Sequence, residues 1–394
     1  MKKKVLFINP GMGFGGAEKS LQTLLSTIDY DRYDVDLLLL RPEGELLELL
    51  PEQVHVLPTE ETARVFSQPL IVSCSQFLRR GKLSACVSRA LFSATVRGSL
   101  PIRTLEQRGW KYQKRAYSPL PQVYDAAVAY LEGSPIYFCA DLVQAKRKIA
   151  VIHNDYRKLK MDRAFDDAYF RQFDALVTVS DACADVLREE FPAHRDKVHV
   201  IENIIFPGAL RRHAAQPAAF DPAYTGLKLL TMGRLDPQKG LDLAIDACAM
   251  LRDTADFRWY VLGEGAQREA LTARIAEKGL QDRFILLGAK LNPYPYLAQC
   301  DIYVQPSRFE GKSIALEEAK CFARPIVTTA FTTVRDQIED GVTGSIARID
   351  AADIADKLGR LLTDPALRQR YSDALHAYAG NTQEKQKWEA LWEM

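Results

Sequence analysis

The sequence lacks any apolar run that approaches the roughly 20 residues a helix needs to span a bilayer. Its start, Met1-Lys2-Lys3-Lys4, is basic like a signal peptide, but the apolar stretch Val5–Asn9 is far too short for the hydrophobic core of one. Low-complexity tracts are absent, and 47% of the residues are hydrophobic and 26% charged, as in ordinary globular proteins. We therefore expect a folded cytoplasmic protein that is neither secreted nor membrane-spanning.

Cysteine is sparse and follows no metal-binding or disulfide pattern. The seven cysteines, at positions 74, 86, 139, 183, 248, 300 and 321, form no CxxC pair, and their number is odd. Reduced thiols within a folded core are therefore a simpler interpretation than disulfides or a zinc site.

Net charge is also low, at +1, but it is unevenly distributed. Residues 76–115 contain ten basic residues and a single acid, Glu106, with apolar residues such as Leu83 and Leu91 between them. A basic amphipathic helix is typical of segments that lie on anionic lipid, so we expect 76–115 to contact an anionic membrane surface. A solvated face over a core is the alternative interpretation. No nucleic-acid partner is expected, because no recognised binding module accompanies the charge.

Short apolar runs alternate with helical patterns along the whole chain. The predicted buried strands are Val5–Asn9, Val35–Leu40, Ala126–Tyr130, Lys148–Ile152, Leu176–Ser180, Val198–Ile201, Leu227–Met232, Trp259–Leu262, Phe284–Leu287, Ile302–Gln305 and Pro325–Thr328. Apolar strands separated by helices indicate parallel sheets covered on both faces. The sequence therefore predicts two doubly wound α/β domains, one in each half.

An Ala- and Pro-rich stretch without a strand pattern separates the two halves and precedes the strand that starts at Leu227. In the last segment, Trp388, Leu391 and Trp392 are spaced to share one helix face, and we expect that helix to pack on the first domain. The predicted organisation is a domain over 1–206, a linker over 207–226, a second domain over 227–380 and a terminal helix over 381–394.

A glycine-rich loop follows the first predicted strand. Gly11, Gly13 and Gly16 match the G-x-G-x-x-G pattern of dinucleotide-binding proteins. A NAD site would also need an acid at the end of the second strand, where the sequence has Arg41 and Pro42. We therefore interpret the loop as a close backbone approach to an anion, at the N-terminus of the next helix. A tight turn without a ligand is the alternative.

A second loop, Gly233–Gly240, follows the strand Leu227–Met232 and carries Arg234 and Lys239. Arginine can bind phosphate bidentately and lysine adds a compact charge, so the loop suits a diphosphate, although solvated loops carry such residues too.

Two glutamates follow the strand Ile302–Gln305. Glu310 lies in the loop after that strand, and Glu318 is expected about two turns into the next helix. Carboxylates accept hydrogen bonds from vicinal hydroxyls, so one glutamate could hold a hexose and the other a ribose. The amides between them would form a helix N-terminus that binds phosphate or sugar oxygens.

These blocks together resemble the retaining glycosyltransferases of family four (GT4). The resemblance rests on Gly15-Gly16-Ala17-Glu18, on Arg234 with Lys239-Gly240, and on Glu310 with Glu318-Ala319, and it covers nearly the whole chain. The family has the GT-B fold, in which two Rossmann-like domains face each other across a cleft. The resemblance implies transfer of a hexosyl or N-acetylhexosaminyl group from a nucleotide-sugar, expected to be UDP-linked, to a saccharide or lipid-linked acceptor. Surface-polysaccharide (capsule) biosynthesis at the inner face of the plasma membrane is the implied setting.

The resemblance also implies roles for individual residues. The implied catalytic residues are His153, near the reacting carbon, Glu310, on the transferred sugar, and Arg234 and Lys239, on the diphosphate. The implied donor-binding residues are Gly15, Gly16, Gly233, Arg234, Lys239, Gly288, Ala289, Lys290, Glu310, Gly311, Lys312, Ser313, Ile314 and Glu318, with the nucleobase near 288–290 and the ribose on Glu318. No cofactor and no metal ion are implied, because the nucleotide-sugar is a substrate.

Some features leave alternatives open. Lys312-Ser313-Ile314-Ala315 stands where many relatives have Gly-Leu-Pro, so the donor sugar is not implied. Asp34-Val35-Asp36 resembles the DxD motif of metal-dependent transferases but is far in sequence from the donor blocks. Glu132 follows the strand Ala126–Tyr130 and is a candidate acceptor contact. A nucleotide-sugar epimerase of GT-B fold and a non-catalytic nucleotide-sugar-binding protein are the alternative functions.

Overall fold

The structure, a computed structural model, describes residues 2–216, 220–221 and 223–393. The described residues divide into two compact units. The first comprises residues 2–13, 17–202 and 384–393, and the second comprises residues 14–16 and the described part of 203–383. Residue 1 of the predicted first domain, residues 217–219 and 222 of the predicted linker, and residue 394 of the predicted terminal helix lie outside the described residues.

A seven-stranded parallel sheet forms the centre of the first unit. In chain order its strands are β1 (Lys3–Asn9), β2 (Tyr33–Leu39), β3 (Val54–Leu57), β4 (Val123–Ala129), β5 (Gln144–Ile152), β6 (Ala175–Thr178) and β7 (Val198–Val200). They pair in the order β3-β2-β1-β4-β5-β6-β7. All six strands predicted in this half are present. The strand β3 was not predicted, because it is only four residues long and two of them are exposed.

Helices flank this sheet. They are α1 (Gly16–Leu25), α2 (Glu61–Ser67), α3 (Leu70–Arg79), α4 (Leu83–Val96), α5 (Ile102–Gln113), α6 (Ser134–Leu142), α7 (Arg163–Phe170) and α8 (Asp181–Glu190). The segment predicted to be basic and amphipathic, 76–115, thus forms the end of α3 and the whole of α4 and α5.

A six-stranded parallel sheet forms the centre of the second unit. Its strands are β8 (Leu227–Met232), β9 (Phe257–Leu262), β10 (Phe284–Gly288), β11 (Ile302–Gln305), β12 (Ile326–Thr329) and β13 (Ser345–Ala347), paired in the order β10-β9-β8-β11-β12-β13. Along β11, Ile302 and Val304 pack in one hydrophobic cluster and Tyr303 in another. Because successive side chains of a strand point to opposite faces, both faces of this sheet are covered.

The helices of the second unit are α9 (Pro207–Ala214), α10 (Leu241–Met250), α11 (Arg268–Glu277), α12 (Tyr294–Gln299), α13 (Ile314–Cys321), α14 (Ala351–Thr363) and α15 (Pro365–Leu375). The last helix, α16 (Glu384–Glu393), belongs to the first unit. There Trp388 stacks on Tyr130 with ring centroids 5.7 Å apart, and Trp392 makes edge contacts with Phe7 and Tyr33.

Glycine is required where the connection after β8 turns into α10. Gly240 has a φ of +64°, and a Cβ placed on it would lie 2.1 Å from the carbonyl oxygen of Pro306. The loop after β8 and the loop after β11 therefore approach each other with no room for a side chain at this point.

We predict that Gly240→Ala destabilises the second unit more than Gly341→Ala does. Gly341 has a similar φ of +78°, but no atom would lie within 4 Å of a Cβ placed on it, so the control carries only the left-handed strain, about 1–2 kcal/mol. The clash with Pro306 should add a further ~1–3 kcal/mol to the loss at Gly240. Urea unfolding of both variants measures the difference, and equal losses would contradict the close approach.

Candidate functional site

An ion pair joins the two predicted donor loops of the second unit. The Nζ of Lys239 lies 2.7 Å from Oε1 of Glu310, and the two side chains are 18% and 8% exposed. The loops are tied together by their backbones as well, since the Arg308 N–H donates to the carbonyl of Gln238 at 2.7 Å. Residues that are 71 positions apart in sequence thus form one site at the carboxyl ends of β8 and β11, where open parallel sheets bind ligands.

Three further side chains hold the Glu310 carboxylate in place. Ser307 donates to its Oε1 at 2.6 Å and Gln305 at 3.0 Å, while Gln238 lies 3.4 Å from Oε2. The hydroxyl of Thr333 donates to the backbone carbonyl of Glu310 at 3.1 Å. A buried carboxylate needs such donors as well as a cation, because leaving its lone pairs unpaired is costly. Sequence reasoning did not identify these residues.

Glu318 is buried near the start of α13. The helix begins at Ile314, and Ser313 caps it by accepting a hydrogen bond from the Leu316 N–H at 3.3 Å. Glu318 is therefore the fifth residue of the helix, just over one turn in, and the predicted two turns were wrong because the helix starts later than expected. The hydroxyl of Tyr294 donates to Oε1 of Glu318 at 3.1 Å.

A buried glutamine fixes the N-terminus of α13. The side chain of Gln337 accepts from the Ser313 N–H at 2.9 Å, and its Nε2 donates to the Ser313 carbonyl and to Glu317, each at 2.8 Å. Glu317 also accepts from the hydroxyl of Tyr378 and pairs with Lys320 at 3.0 Å. This network also went unnoticed in the sequence, where Gln337 lies 24 residues from its main partner.

The side chain of Arg234 pairs with Asp236 and not with Glu310. Its side chain is 58% exposed, and its Nε is 3.5 Å from Oδ2 of Asp236. Gly233, just before it, makes room for the lysine: a Cβ there would lie 3.3 Å from Cδ and Cε of Lys239. The structure thus brings together Lys239, Glu310 and Gly233, whereas Arg234 extends from the same loop into solvent.

The residues predicted near the nucleobase lie at the end of β10. The carbonyl of Gly288 accepts from the Gly263 N–H at 3.0 Å, so the turns after β9 and β10 are adjacent. A Cβ on Gly288, which has a φ of +76°, would lie 3.1 Å from Oε1 of Glu264. Ala289 is half-buried and Lys290 is exposed.

In the first unit, His153 and Glu132 meet at the carboxyl ends of β5 and β4. The carboxylate of Glu132 accepts from the His153 N–H at 3.0 Å and from the side chain of Asn154 at 2.9 Å. Burial lowers the pKa of His153 below its ordinary value of 6.5, against the Glu132 charge and a hydrogen bond with the backbone of Tyr130. Its Nε2 is buried with no hydrogen-bond partner. Glu132 thus holds the loop that carries His153 and Asn154, called the histidine loop below.

The glycine loop is divided between the units. Gly11 and Gly13 belong to the first unit, whereas residues 14–16, which include the predicted donor residues Gly15 and Gly16, group with the second. A Cβ on Gly16 would lie 3.9 Å from Cδ1 of Ile314 at the start of α13. Two residues predicted to bind the donor, Gly16 and Ile314, are therefore neighbours.

The DxD-like residues lie on β2. Asp36 accepts from the hydroxyl of Tyr124 at 2.7 Å and contacts His55 at 3.0 Å, and Asp34 is 3.9 Å from Lys2. Within the described ranges, no group of three or more His, Cys, Asp or Glu side chains could hold a metal ion. No described helix combines the length and the apolar character that crossing a bilayer requires.

Two family models match the chain, one in each half. The model described as Glycosyltransferase Family 4 matches residues 14–207, and the one described as Glycosyl transferases group 1 matches residues 216–376. Together they include the histidine loop, both donor loops and the paired glutamates. The chain belongs to the GT-B glycosyltransferases. It is therefore a transferase, and the fold class predicted from the sequence is confirmed.

Named relatives agree with this assignment. The N-acetylgalactosamine-N,N'-diacetylbacillosaminyl-diphospho-undecaprenol 4-alpha-N-acetylgalactosaminyltransferase of Campylobacter jejuni is 26% identical over 376 residues, which are 95% of this chain and 93% of that enzyme. The alpha-D-kanosaminyltransferase of Streptomyces kanamyceticus is 32% identical over 149 residues, only 37% of this chain and 39% of that enzyme. Among solved structures, Anabaena Alr3699/HepE in complex with UDP-glucose has a TM-score of 0.70 at 17% identity, with both chains fully covered.

We predict that His153→Gln reduces the loss of stability on acidification below pH 6.5. The unfolded chain protonates this histidine from about its ordinary pKa of 6.5, whereas the native protein does so only at lower pH, so in this range the unfolded state binds more protons and stability rises with pH. Chemical unfolding at several pH values measures the slope. The free energy of unfolding of the variant is subtracted from that of the wild type at each pH. This difference removes the contribution of Asp166, whose pKa burial raises to about 6.

His376→Gln is the control, because that side chain is exposed and makes no ion pair with the described residues. It should leave the slope unchanged. If the His153 variant had the same slope as the wild type, the buried, neutral histidine would be ruled out.

Proposed function

We propose that the chain is a retaining glycosyltransferase of family four. It would transfer a hexosyl or N-acetylhexosaminyl group from a UDP-sugar to a saccharide or lipid-linked acceptor. The observation that carries the proposal is the half-buried pair of Lys239 and Glu310, braced by Gln305 and Ser307, at the carboxyl edge of the second sheet.

The departing diphosphate would be stabilised by Lys239. An ammonium has three N–H donors, and Glu310 takes one of them at 2.7 Å, so two remain for phosphate oxygens. Ser313 occupies the Leu316 N–H, which leaves the first amides of α13, at Ile314 and Ala315, at the positive end of the helix. Donors held in place before the reaction stabilise the charge that develops on the leaving group.

Arg234 would add to this countercharge from its exposed position. The guanidinium pairs with Asp236 at 3.5 Å, a solvent-exposed contact that contributes little and that a diphosphate could replace. Because Lys239 and Arg234 would supply the positive charge, the proposal includes no metal ion and no cofactor.

The two glutamates would bind the donor at its two sugars. Glu310 keeps acceptor capacity on Oε2, which among the described residues only Gln238 approaches, at 3.4 Å. This oxygen could therefore accept from a hydroxyl of the transferred sugar. Glu318 would bind the ribose beside Tyr294, and the nucleobase would lie near Gly288.

His153 would bind a sugar hydroxyl near the reacting carbon. Its lowered pKa keeps the imidazole neutral near pH 7, and Nε2, buried without a partner, could take part in such a hydrogen bond. The anomeric configuration would be retained because the acceptor attacks the same face of the sugar that the diphosphate leaves, through an oxocarbenium-like state. No side chain of this site is proposed as a nucleophile.

The comparisons support the choice of substrates. The Campylobacter jejuni relative is named for a diphospho-undecaprenol acceptor, which supports a lipid-linked acceptor and a role in bacterial surface-polysaccharide synthesis, with capsule as one setting. Structural neighbours bound to UDP and to UDP-glucose support a UDP-linked donor. Such an acceptor would place the protein in the cytoplasm, at the inner face of the plasma membrane.

We predict that UDP and one UDP-sugar raise the thermal stability of the protein more than the diphosphates of adenosine, guanosine and cytidine do. A ligand that binds only the native state stabilises it by about 2.7 kcal/mol at a hundred times its Kd. A thermal-shift screen of nucleotides and their sugars measures this. Preference for another base would contradict the UDP assignment. Conversion of the nucleotide-sugar to its epimer without any acceptor would favour the epimerase.

We predict that Lys239→Met lowers kcat by at least about 100-fold, the usual effect of losing one preorganised donor to a developing negative charge. Steady-state transfer assays with the nucleotide-sugar found in the screen measure the rate. Arg274→Met is the matched control, because it removes a half-buried ion pair with Asp246 between α10 and α11. It should cost stability but leave kcat unchanged. An undiminished rate in Lys239→Met would refute the phosphate assignment.

A further inference from the structure

Exposed apolar side chains are concentrated in one part of the first unit. Among the described residues, sixteen large hydrophobic side chains are exposed, and eight of them lie between Ile71 and Ile102. Those on α3 and α4 are Ile71, Val72, Leu78, Leu83, Val87 and Leu91. Exposed apolar side chains concentrated in this way are typical of an interaction surface.

The helix α4 carries apolar side chains on its outer side as well as on its inner side, where Ala85, Cys86 and Phe92 pack on a small hydrophobic cluster. Its buried residues are Ser88 and Ser93, whereas Leu83, Val87 and Leu91 are 64%, 49% and 41% exposed. These three leucine and valine positions are four residues apart and therefore share one face. A surface helix of a soluble protein normally presents one apolar stripe, to the core, so a second stripe on the exposed side of α4 indicates an interaction surface.

Polar contacts hold α4 in this orientation. The half-buried guanidinium of Arg89 donates to the backbone carbonyl of Gln68 at 2.9 Å and to Ser93, and it lies over the ring of Phe66. Arg115 approaches the hydroxyl of Ser88 at 3.5 Å. Arg89 and Arg115 are thus engaged in contacts within the first unit, so we do not count them among the cations available to a partner.

The cations available to a partner flank the apolar stripe. Arg79 ends α3, Arg80 and Lys82 lie in the turn between α3 and α4, and all three are exposed. The Nζ of Lys82 donates to the hydroxyl of Thr62 at 2.8 Å, a surface contact. Arg80 pairs with Glu61 at 2.8 Å, a surface contact that contributes little and that a lipid phosphate could replace. Apolar side chains bordered by cations are the combination that anionic bilayers bind.

We propose that α3, α4 and the turn between them form a docking surface for an anionic lipid bilayer. Leu83, Val87 and Leu91 enter the boundary between headgroups and acyl chains, and Arg79, Arg80 and Lys82 contact lipid phosphates. The inference deepens the proposed function and rests on it, because a lipid-linked acceptor is what makes the position at a membrane useful. It also changes the predicted contact: the exposed sides of α3 (Leu70–Arg79) and α4 (Leu83–Val96) replace the segment 76–115, and α5 is left out.

The test is flotation of the full chain with vesicles of phosphatidylcholine alone or with added phosphatidylglycerol. The variant Leu83→Gln/Val87→Gln/Leu91→Gln should bind the phosphatidylglycerol vesicles at least about tenfold more weakly than the wild type. The matched control is Met250→Gln/Val342→Gln/Ile349→Gln, whose side chains are 59%, 43% and 41% exposed in the second unit. It should bind like the wild type.

The charge is tested separately by Arg79→Glu, with Arg195→Glu, an exposed cation distant in sequence, as its control. Arg79→Glu should weaken binding to phosphatidylglycerol vesicles several-fold, and Arg195→Glu should not. Equal flotation of the wild type with both vesicle types, or undiminished binding by the triple glutamine variant, would overturn the proposal. So would a wild-type dimer that the triple variant converts to a monomer, because the surface would then belong to a second copy.

A nucleotide thermal-shift measurement keeps this proposal distinct from the proposed function. The triple variant should retain the wild-type shift with UDP, since none of its substitutions touches the donor loops. Vesicle binding without any nucleotide shift in the wild type would support the docking surface and refute the transferase substrates. A nucleotide shift without vesicle binding would support the transferase substrates and refute the docking surface.

Discussion

A lysine and a glutamate that are shielded from water together determine the geometry of the proposed donor site. The pair of Lys239 and Glu310 is sheltered enough that either charge alone would be expensive, so each requires the other and the neutral donors around them. Meeting this requirement fixes the distance between the loops after β8 and β11, and the left-handed Gly240 allows them to come that close. In the proposed reaction, the departing diphosphate would therefore meet a cation whose position is already set.

The first unit uses a related device with a different result. Glu132 also ends a strand and is buried, but it accepts from the backbone of His153 and the side chain of Asn154 rather than from a cation. The glutamate thereby shapes a loop, and burial keeps the imidazole beside it neutral. In both units a carboxylate at the carboxyl edge of a parallel sheet holds a neighbouring loop. The sheets therefore position the polar side chains, which lie in the loops and not in the strands.

Periodicity and local turn chemistry account for what could be predicted from the sequence. Buried strands such as Leu227–Met232 and Ile302–Gln305 have continuous apolar runs, and their boundaries are those predicted. Lys239, Glu310 and Glu318 were identified because the blocks that contain them resemble those of the GT4 glycosyltransferases. Gln305 and Gln337 were not, because a polar residue near a strand is ordinary until the fold shows a partner far away in sequence, as with Gln337 and Ser313.

The orientation of α4 is a second property that could not be predicted from the sequence. Spacing of Leu83, Val87 and Leu91 predicts a helix with an apolar stripe, but the pattern is identical whether the stripe faces a core or faces outward. The deciding information lies in the opposite face, where Ser88, Ser93 and Arg89 find partners on Arg115 and the loop at Gln68. Because those buried polar groups would lose their hydrogen bonds if the helix rotated, the apolar stripe is held outward. The inner side of α4, where Phe92 also packs on the core cluster, therefore fixes the outward direction of the stripe, for which a lipid surface is the proposed partner.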